Sequence, residues 1–442
     1  MTNDEWIKRE QAVLTPASHR LHDPKFGVVF SRGQGARLWD VAGRNYIDFT
    51  CGYSASNFGH AFPPLVEVAR RQVGELTHLT QEPHAWRAPL AEKLIEICGF
   101  GNVRDLPGED AQPPGKVHFN ATGSRAVETA WKAARAFRPG RLISLAPSYH
   151  GRSLATSTLS DTVGNLPEFV PSHLHERRPA SDFAYCAACT YGLSHPACQT
   201  LCLNELIQQI NSAADSISAV IVEPALGARG YVFPPAEYWQ RLRRATADKG
   251  VLLIADEIQM GLGRTGTMLL STSQGWQPDL IVLGKSLGGG IVPISAVVGR
   301  AEVMNALPIG SESETFAGTP LAAALALEVL EQLTTGPWLE RGSQAGKRLR
   351  QALEQFGDGP FPGLIVEGQG ASAVAEFKAC GATLVESQAL TRRIAVACRD
   401  QGLLVHFSGP LATRIVLLPP LSIDDAELNE GIQRLQKAME CP

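Results

Sequence analysis

Residues 251–299 read VLLIADEIQMGLGRTGTMLLSTSQGWQPDLIVLGKSLGGGIVPISAVVG, and two apolar runs in this segment give the main evidence for the fold class. It opens with an apolar run at 251–255, and such a short run indicates a buried strand of a parallel sheet that ends at Asp256. A second apolar run, at 280–283, leads to Lys285 and a glycine-rich turn. Open α/β sheets bind ligands at the carboxyl ends of their strands. We therefore expect the carboxylate and the amine to face one small molecule.

A carboxylate and an amine at one buried edge suit pyridoxal phosphate (PLP). The amine of Lys285 would form an imine with the cofactor aldehyde, and the carboxylate of Asp256 would keep the pyridine nitrogen protonated. The ring then accepts electrons from a substrate carbanion. A structural ion pair beside a solvated lysine would show the same spacing, so spacing alone does not separate the two interpretations.

The residue sequences of the two motifs favour the interpretation as a cofactor site. ADEIQMGLGRTG, followed 29 residues after Asp256 by LGKSLGGGIVP, resembles the cofactor signature of the class III (subgroup II) PLP-dependent aminotransferases. The resemblance involves the acid, Gln259, the GRTG turn and Lys285 together. It implies the α/β fold called fold type I, with a large domain whose mainly parallel sheet lies between helices. A smaller α+β domain is then formed by the two ends of the chain.

Glycines at 261, 263 and 266 also spell GxGxxG. A dinucleotide-binding fingerprint needs these glycines directly after the strand and at the opening of a helix. Here residues 256–260 intervene, and no helical pattern begins after Gly266. We therefore set a dinucleotide-binding fold aside.

Length and charge favour a protein whose partner is a small molecule. The chain has 442 residues, enough for two or three domains, and its net charge of −4 argues against a nucleic-acid surface. The amino terminus lacks the apolar core of a secretory signal, and no apolar run approaches the roughly 20 residues that span a bilayer. We predict a cytoplasmic protein that binds neither nucleic acid nor membranes.

We divide the chain into an amino-terminal segment of the small domain (1–60), a large PLP-binding domain (61–320) and a carboxy-terminal small domain (321–442). In the first segment, residues 27–52 alternate apolar runs with Gly and Asn turns, which predicts a β-meander. The meander resembles the family segment that leads into the active site. This implies that Tyr53 contacts the substrate, although an ordinary turn residue would look the same.

Residues 117–137 read as a strand, a turn at Thr122, Gly123 and Ser124, and a helix. A helix N-terminus offers free N–H groups and a positive dipole end, and both suit a phosphate. Plain helix capping would produce the same residues. The phosphate loop of the family has this shape, which implies that the three residues bind the cofactor phosphate. The family usually carries an acid where Arg125 stands.

Two further strand ends supply cofactor candidates. Tyr149 and His150 precede a glycine, and in the family an aromatic residue before His-Gly stacks on the pyridine ring, whereas core packing is the alternative. Glu223 matches the family's V-E-P motif beside the cofactor pocket, and a solvated acid is the alternative. Ala228 stands where relatives acting on ω-amino groups often carry an acidic residue. In those relatives the acidic residue acts as a switch for an arginine. This departure argues against an ornithine- or 4-aminobutyrate-type mechanism.

Two residues in the last third of the chain complete the site. Thr315 precedes a helix of small residues and resembles the family segment that reaches the PLP phosphate of a neighbouring chain. This implies a homodimer with shared active sites, while a helix-capping hydroxyl is the alternative. Arg414 begins the strand RIVLL and matches the family arginine that grips a substrate carboxylate with two parallel donors. An exposed arginine on an edge strand is the alternative.

A group of four cysteines lies in an irregular insertion at about 182–203, with the pattern Cys186-x2-Cys189-x8-Cys198-x3-Cys202. Four soft ligands on a turn-rich loop would suit zinc or an iron–sulfur cluster. Four reduced thiols on a surface insertion would show the same pattern, and from the sequence we assign no metal. The remaining cysteines are scattered, which indicates reduced thiols: Cys51, Cys98, Cys380, Cys398 and Cys441.

The sequence thus predicts a PLP-dependent aminotransferase that moves an amino group from an amino acid or amine to a keto acid such as pyruvate or 2-oxoglutarate. The route is a Lys285 imine and a pyridoxamine phosphate intermediate. A dialkylglycine-type decarboxylase and an amino-acid racemase on the same scaffold are alternatives. A non-catalytic PLP-fold or metal-binding regulatory protein built around the four cysteines is a further one, against which the intact set of Asp256, Gln259 and Lys285 argues.

Overall fold

The computed structural model describes residues 1–15, 27–80, 82–101, 114–161, 171–357, 359, 361–377, 383–409 and 411–440. The chain divides into two compact units. Unit 1 comprises Met1–Pro63 and Trp338–Pro442, and unit 2 is the continuous segment Pro64–Pro337. Two of the cysteines predicted to be reduced, Cys380 and Cys441, lie outside the described residues.

The strands and helices of the described residues follow in chain order. The strands are β1 (Phe30–Gln34), β2 (Arg37–Asp40), β3 (Asn45–Asp48), β4 (Gly115–Asn120), β5 (Arg141–Leu145), β6 (His175–Arg178), β7 (Ile217–Val222), β8 (Leu252–Asp256), β9 (Leu280–Leu283), β10 (Ser295–Arg300), β11 (Ile365–Glu367), β12 (Ala373–Glu376), β13 (Leu403–Leu404), β14 (His406–Ser408) and β15 (Arg414–Leu417). The helices are α1 (Asn3–Val13), α2 (Cys51–Ser54), α3 (Pro63–Glu75), α4 (Arg87–Ile97), α5 (Gly123–Phe137), α6 (Leu154–Leu159), α7 (Asn204–Ala213), α8 (Ala236–Asp248), α9 (Leu270–Ser273), α10 (Ala301–Met304), α11 (Pro320–Thr335), α12 (Trp338–Gly357), α13 (Leu384–Asp400) and α14 (Asp425–Glu440). Within the described ranges, no helix combines the length and the apolar character needed to cross a bilayer.

The described strands of unit 2 form one sheet in the order β4-β10-β9-β8-β7-β5-β6. Strands β9, β8, β7, β5 and β6 run parallel, and β10 runs antiparallel to both of its neighbours. Strands β7, β8 and β9 are buried along their whole length, which is why they read as continuous apolar runs. The two predicted strands are thereby confirmed. Because these strands are parallel, Glu223, Asp256 and Lys285 all lie at the same edge of the sheet.

Helix α5 covers part of this sheet. Alanines at 126, 130 and 134 recur every four residues, so they share one helix face, and all three are buried in a cluster with Ile221 and Ile254. Small side chains allow the helix to pack closely on β7 and β8. Burying an aliphatic side chain as large as these isoleucines contributes roughly 1.5–3 kcal/mol.

Helix α11 belongs to unit 2, so the compact unit extends to Pro337 where a boundary near residue 320 was expected. Its buried side includes Ala323, Leu325 and Val329, and the helix packs against α4 and the turn that follows Lys285. Apolar burial therefore places this helix with the sheet that carries the lysine.

The described strands of unit 1 form two small sheets. In the first, β1, β2 and β3 make the predicted antiparallel meander, and β13 joins β3 in parallel. The second is antiparallel, in the order β11-β12-β15-β14. One core contains residues from both ends of the chain, among them Phe49, Leu349, Ile394 and Leu428.

The turn after β3 has an unusual backbone. The four residues Cys51–Ser54 have φ angles of 46°, 55°, 59° and 65°, so the turn is left-handed although its hydrogen bonds resemble those of a helix. Left-handed geometry costs an L-residue roughly 1–2 kcal/mol. Strain of this kind persists where the surrounding structure holds it, and it is concentrated at functional sites.

Candidate active site

A cavity of about 170 Å³ lies at the carboxyl edge of the unit 2 sheet. Residues that the sequence predicted from separate motifs converge on it, together with Gly151 and Ile258. The predicted residues that line the cavity are Gly123, Ser124, Tyr149, His150, Glu223, Asp256, Gln259 and Lys285. The sheet brings them together because each follows, or ends, a strand that points the same way.

Lys285 occupies a strained position directly after β9. Its φ is 44°, in the left-handed region that a side chain rarely adopts. The side chain is half-buried, and Nζ donates a hydrogen bond to Oε1 of Gln259. Burial lowers the pKa of Lys285 from 10.5 to about 8, although the carboxylates of Glu223 and Asp256 act to raise it. The amine is therefore partly neutral, and so nucleophilic, at a pH where an exposed lysine is charged.

Asp256 is held by a histidine from a distant part of the chain. Its side chain is 4% exposed, and Oδ2 lies 2.8 Å from Nδ1 of His150. A carboxylate accepts, so the imidazole donates from Nδ1. Oδ1 of Asp256 accepts the backbone N–H of Ile258 at 3.2 Å. These two contacts fix the orientation of the carboxylate at the carboxyl end of β8.

Glu223 ties two loops together. Its Oε1 accepts the backbone N–H of Tyr149 at 2.7 Å, and Oε2 accepts that of Gly227 at 2.9 Å. Burial raises the pKa of Glu223 to about 7; the charge of Asp256 acts in the same direction and His150 opposes it. The carboxylate thus positions the loop that carries the tyrosine ring.

The start of α5 is suited to an anion. Thr122 is its N-cap and accepts the N–H of Arg125 at 3.4 Å. Among the described residues, the backbone N–H groups of Gly123 and Ser124 have no acceptor, and both residues line the cavity. A Cβ at Gly123 would lie 2.9 Å from Cδ1 of Ile258, so glycine allows the helix to begin this close to the end of β8. The cavity therefore has free donors at one end and an amine and a carboxylate elsewhere.

Arg125 binds the segment that carries Thr315. Its Nε donates to Glu314 at 2.8 Å and one terminal nitrogen donates to Glu312 at 2.8 Å. Glu314 also accepts the backbone N–H of Ala121 at 2.8 Å. The sequence marked this arginine as a departure from the family pattern without indicating its partners. The structure shows that it connects residues 312–314 to the start of α5, and Thr315 itself is exposed.

Tyr53 and Arg414, the two predicted substrate residues, belong to unit 1. The ring of Tyr53 stacks on His406, with centroids 3.8 Å apart and planes inclined by 33°. Asp48 supports this turn: Oδ1 accepts the N–H of Thr50 at 2.8 Å and Oδ2 contacts His60 at 2.8 Å. Burial acts to raise the pKa of Asp48, but the hydrogen bonds from His60 and Thr50 outweigh it and the pKa is lowered.

Arg414 is fully buried, at 0% exposure, on the inner strand β15. One terminal nitrogen donates to Glu376 at 2.9 Å and to Glu367 at 2.7 Å. The alternative of an exposed arginine on an edge strand is therefore wrong. Any further carboxylate that binds this guanidinium must share it with those two acids.

The sequence did not predict three side chains that contact these residues. Ile258 lies inside the ADEIQ motif, so its position was a usable signal. Tyr231 contacts Gln259 at 3.3 Å, and His406 stacks on Tyr53, but neither stands in a recognised motif. Only the folded chain reveals these two.

Comparisons with known proteins were made on the whole chain. A model of the aminotransferase class-III family matches residues 18–439. The 5-aminovalerate aminotransferase of Pseudomonas aeruginosa is 34% identical over 449 residues, with 99% of each chain covered. The leucine/methionine racemase of Thermococcus litoralis is 32% identical, with 99% of this chain and 96% of that protein covered. The fold resembles an amine transaminase from an uncultivated Pseudomonas species in its PLP-bound form, with a TM-score of 0.82, 27% identity and 97% of each chain covered.

Proposed function

The chain belongs to the class III aminotransferase family, and we propose that Lys285 and Asp256 carry out its amino-group transfer. As an aminotransferase of this family it uses PLP to move an amino group from an amino donor to a keto acid. The observation that supports the two residue roles is the convergence of an amine of lowered pKa and an oriented carboxylate on one cavity.

The residues around the cavity fit the cofactor. The N–H groups of Gly123 and Ser124, which have no acceptor in the part of the chain that the structure describes, would hold its phosphate, together with the Thr122 cap. Asp256 would pair with the ring nitrogen, and Tyr149 would cover the ring face. Bound PLP supplies an electron sink for the bond that breaks at the substrate.

The protein side chains supply the proton transfers and the positioning. Nζ of Lys285, partly neutral near its lowered pKa of about 8, would take the proton from the substrate Cα as general base and then, as general acid, deliver it to the carbon that was the cofactor aldehyde. Gln259 accepts a hydrogen bond from that nitrogen and so holds it in place. His150 keeps the carboxylate of Asp256 in a fixed orientation, so the negative charge of Asp256 stays in one position.

Borohydride trapping tests the role of Lys285. Reduction of the holoenzyme followed by peptide mass spectrometry is expected to place the cofactor mass on Lys285 alone. Lys285→Ala should lose the trapped adduct and at least roughly 100-fold in kcat. Lys249→Ala, at an exposed lysine of the same unit, is the control and should match the unaltered enzyme. Trapping on another lysine would refute the assignment.

We propose that substrates carry a carboxylate that binds Arg414, and that Tyr53 also contacts the substrate. The arginine is already paired with two acids, so Arg414→Met combined with Glu376→Gln removes the charge without leaving Glu376 ionised and unpaired. This variant should raise KM for amino acids at least tenfold and leave transfer from a simple arylalkylamine unchanged. An equal loss for both donor classes would contradict the role.

A screen of amino donors against pyruvate and 2-oxoglutarate identifies the substrates. Carbon dioxide and the configuration of recovered donor are measured in the same reactions. Keto-acid formation without either change is the expected outcome for transamination. Carbon dioxide release would indicate a decarboxylase, and loss of optical purity a racemase.

We propose a homodimer in which Thr315 reaches the neighbouring active site. Support comes from its exposed position, from Phe316 beside it at 65% exposure, and from the anchoring of residues 312–314 by Arg125. We also propose that the enzyme works in the cytoplasm, because the cysteines within the described ranges form no disulfide. Cell fractionation with activity assays checks the second point.

A further inference from the structure

The cysteine insertion between β6 and α7 forms a second, smaller cavity in unit 2. The cavity has a volume of about 20 Å³, room for roughly one water-sized particle. All four cysteines of the insertion line it: Cys186, Cys189, Cys198 and Cys202. None of these four cysteines forms a disulfide, and this cavity shares no lining residue with the cofactor cavity. The four sulfur-bearing residues therefore border one small space.

Tight turns bring the cysteines to this place. The N–H of Gly192 donates to the carbonyl of Cys189 at 3.0 Å, and the N–H of Leu201 donates to that of Cys198 at 3.0 Å. Gln199 and Thr200, between the last two cysteines, have φ angles of 48° and 52°. Two successive left-handed residues without glycine are strained, and such strain persists where other contacts fix the loop.

The base of the insertion is fixed to the core of the unit. Nε of Arg178 donates to Asp182 at 2.6 Å, and the hydroxyl of Tyr238 donates to the carbonyl of Asp182 at 2.6 Å. Arg241 donates to the carbonyl of Thr200 at 3.0 Å. Helix α8 therefore holds the insertion before its first cysteine and just before its last.

We propose that Cys186, Cys189, Cys198 and Cys202 bind one Zn²⁺ ion as a structural tetrathiolate site. Zinc favours four thiolates in a tetrahedron, and two cysteine pairs on separate turns are the usual way to supply them. Within the described ranges, no three potential metal ligands already surround a common point, so binding requires rotation of the thiols about their Cα–Cβ bonds. Four Zn–S bonds form, and the thiol protons pass to the solvent.

A closed site of this kind stabilises the loop and takes no part in the amino-group transfer. Its ion has four protein ligands and no open position for a substrate. Because α8 holds the same loop, loss of the ion should loosen the insertion while the cofactor cavity keeps its residues. Thermal stability and cofactor binding should therefore respond differently to metal removal.

Elemental analysis of the holoenzyme, purified without chelator, tests the proposal. About one zinc per chain is expected, and the double variant Cys186→Ala with Cys189→Ala should lose it while the visible absorbance of bound PLP remains. Cys98→Ala, at a buried cysteine elsewhere in unit 2, is the matched control and should keep the zinc. Zinc that persists in the double variant, or iron with acid-labile sulfide in its place, would overturn the proposal.

Cobalt exchange provides a test that depends on no substitution. The unaltered enzyme, freed of metal by a chelator and given Co²⁺, should develop the intense red-region absorption of tetrahedral cobalt bound to thiolates, away from the PLP band. Its melting temperature should fall on metal removal and recover on adding Zn²⁺. A chain that takes up neither metal and melts at an unchanged temperature would also overturn the proposal.

Discussion

The environment of the Lys285 amine determines the pH at which the chain takes up its cofactor. Burial brings the pKa of this amine to about 8, and only the neutral amine attacks an aldehyde. We predict that the rate of PLP uptake by the cofactor-free chain rises with pH, with a midpoint near pH 8, and then levels off. Stopped-flow measurement of the developing visible band gives this profile.

The variant Glu223→Gln provides the comparison. The negative charge of Glu223 acts to raise the pKa of Lys285, so removing that charge should move the midpoint of the uptake profile to lower pH. A midpoint that stays the same, or one near the ordinary lysine value, would contradict this account of the amine.

Glu257 makes folding stability depend on pH. Its side chain is 1% exposed; Oε1 accepts the N–H of Ser271 at 2.6 Å, and Oε2 has no partner among the described residues. Burial raises its pKa from 4.5 to about 7, so the folded chain holds this proton more tightly than the unfolded chain. The cost of ionising it is absent below pH 4.5, grows between 4.5 and 7, and is complete above 7.

Glu257→Gln should therefore stabilise the protein at pH 8 by up to about 3 kcal/mol and give no such gain near pH 4.5. Thermal unfolding at both pH values, with saturating PLP, measures the difference. Glu75→Gln, at an exposed position of the same unit, should show no gain that depends on pH. A stabilisation by Glu257→Gln that is equal at both pH values would point to packing instead.

At the scale of elements, the connection from α5 to β5 depends on Gly140. Its φ is 154°, and a Cβ there would lie 2.6 Å from the backbone nitrogen of Ser218 and 2.7 Å from the carbonyl carbon of Ile217. Backbone atoms cannot move aside as a flexible side chain can, so β5 would be pushed away from β7. We predict that Gly140→Ala costs roughly 2–4 kcal/mol of unfolding free energy.

Denaturant unfolding monitored by fluorescence measures that loss. Gly74→Ala is the matched control, because Gly74 lies in α3 and a Cβ added there would have nothing within 4 Å. This control substitution should stabilise the helix by up to about 1 kcal/mol. Equal effects of the two substitutions would show that backbone freedom, and not the close approach at Gly140, determines the result.

The elements were more predictable from sequence than the contacts between them. Strands β8 and β9 were found to within one residue, because a strand covered on both sides by other residues must be apolar throughout. The family, the fold type and the cofactor that their motifs indicated are confirmed. The antiparallel β10 was not foreseen, since direction leaves no mark on an apolar run.

Polar contacts between distant residues left no such signal. His150 and Asp256 are 106 positions apart, and their meeting follows from the parallel order of β5, β7 and β8. Arg414 pairs with Glu376 because β15 and β12 lie side by side in register. A single sequence contains neither the strand order nor the register, so these partners had to come from the structure.

At the scale of the whole molecule, a shared active site predicts complementation between two inactive variants. Lys285→Ala removes the amine of a site, and Thr315→Glu places a negative charge where the neighbour's phosphate would bind. If Thr315 serves the neighbouring chain, a mixed dimer has one site with an intact lysine and an intact threonine. Refolding the two variants together should restore up to about a quarter of the activity, from random pairing of chains.

Each variant refolded alone is the control, and light scattering confirms that dimers form. A second mixture combines Thr315→Glu with Lys249→Ala, a variant that keeps both Lys285 and Thr315. Its activity gives the level expected when no Lys285 is lost. Dimers that form but show no recovery in the Lys285→Ala mixture would contradict a site shared through Thr315.

Unit 1 has a consequence for synthesis on the ribosome. Strand β3 pairs with β13, so the first 63 residues need a partner that is translated only after residues 64–337. At about 5–20 residues per second, the nascent meander waits roughly 20–70 s for that partner, while the continuous unit 2 is already complete. The apolar face around Ile47 and Phe49 is then uncovered, which makes this early segment the natural target of a chaperone that acts during translation.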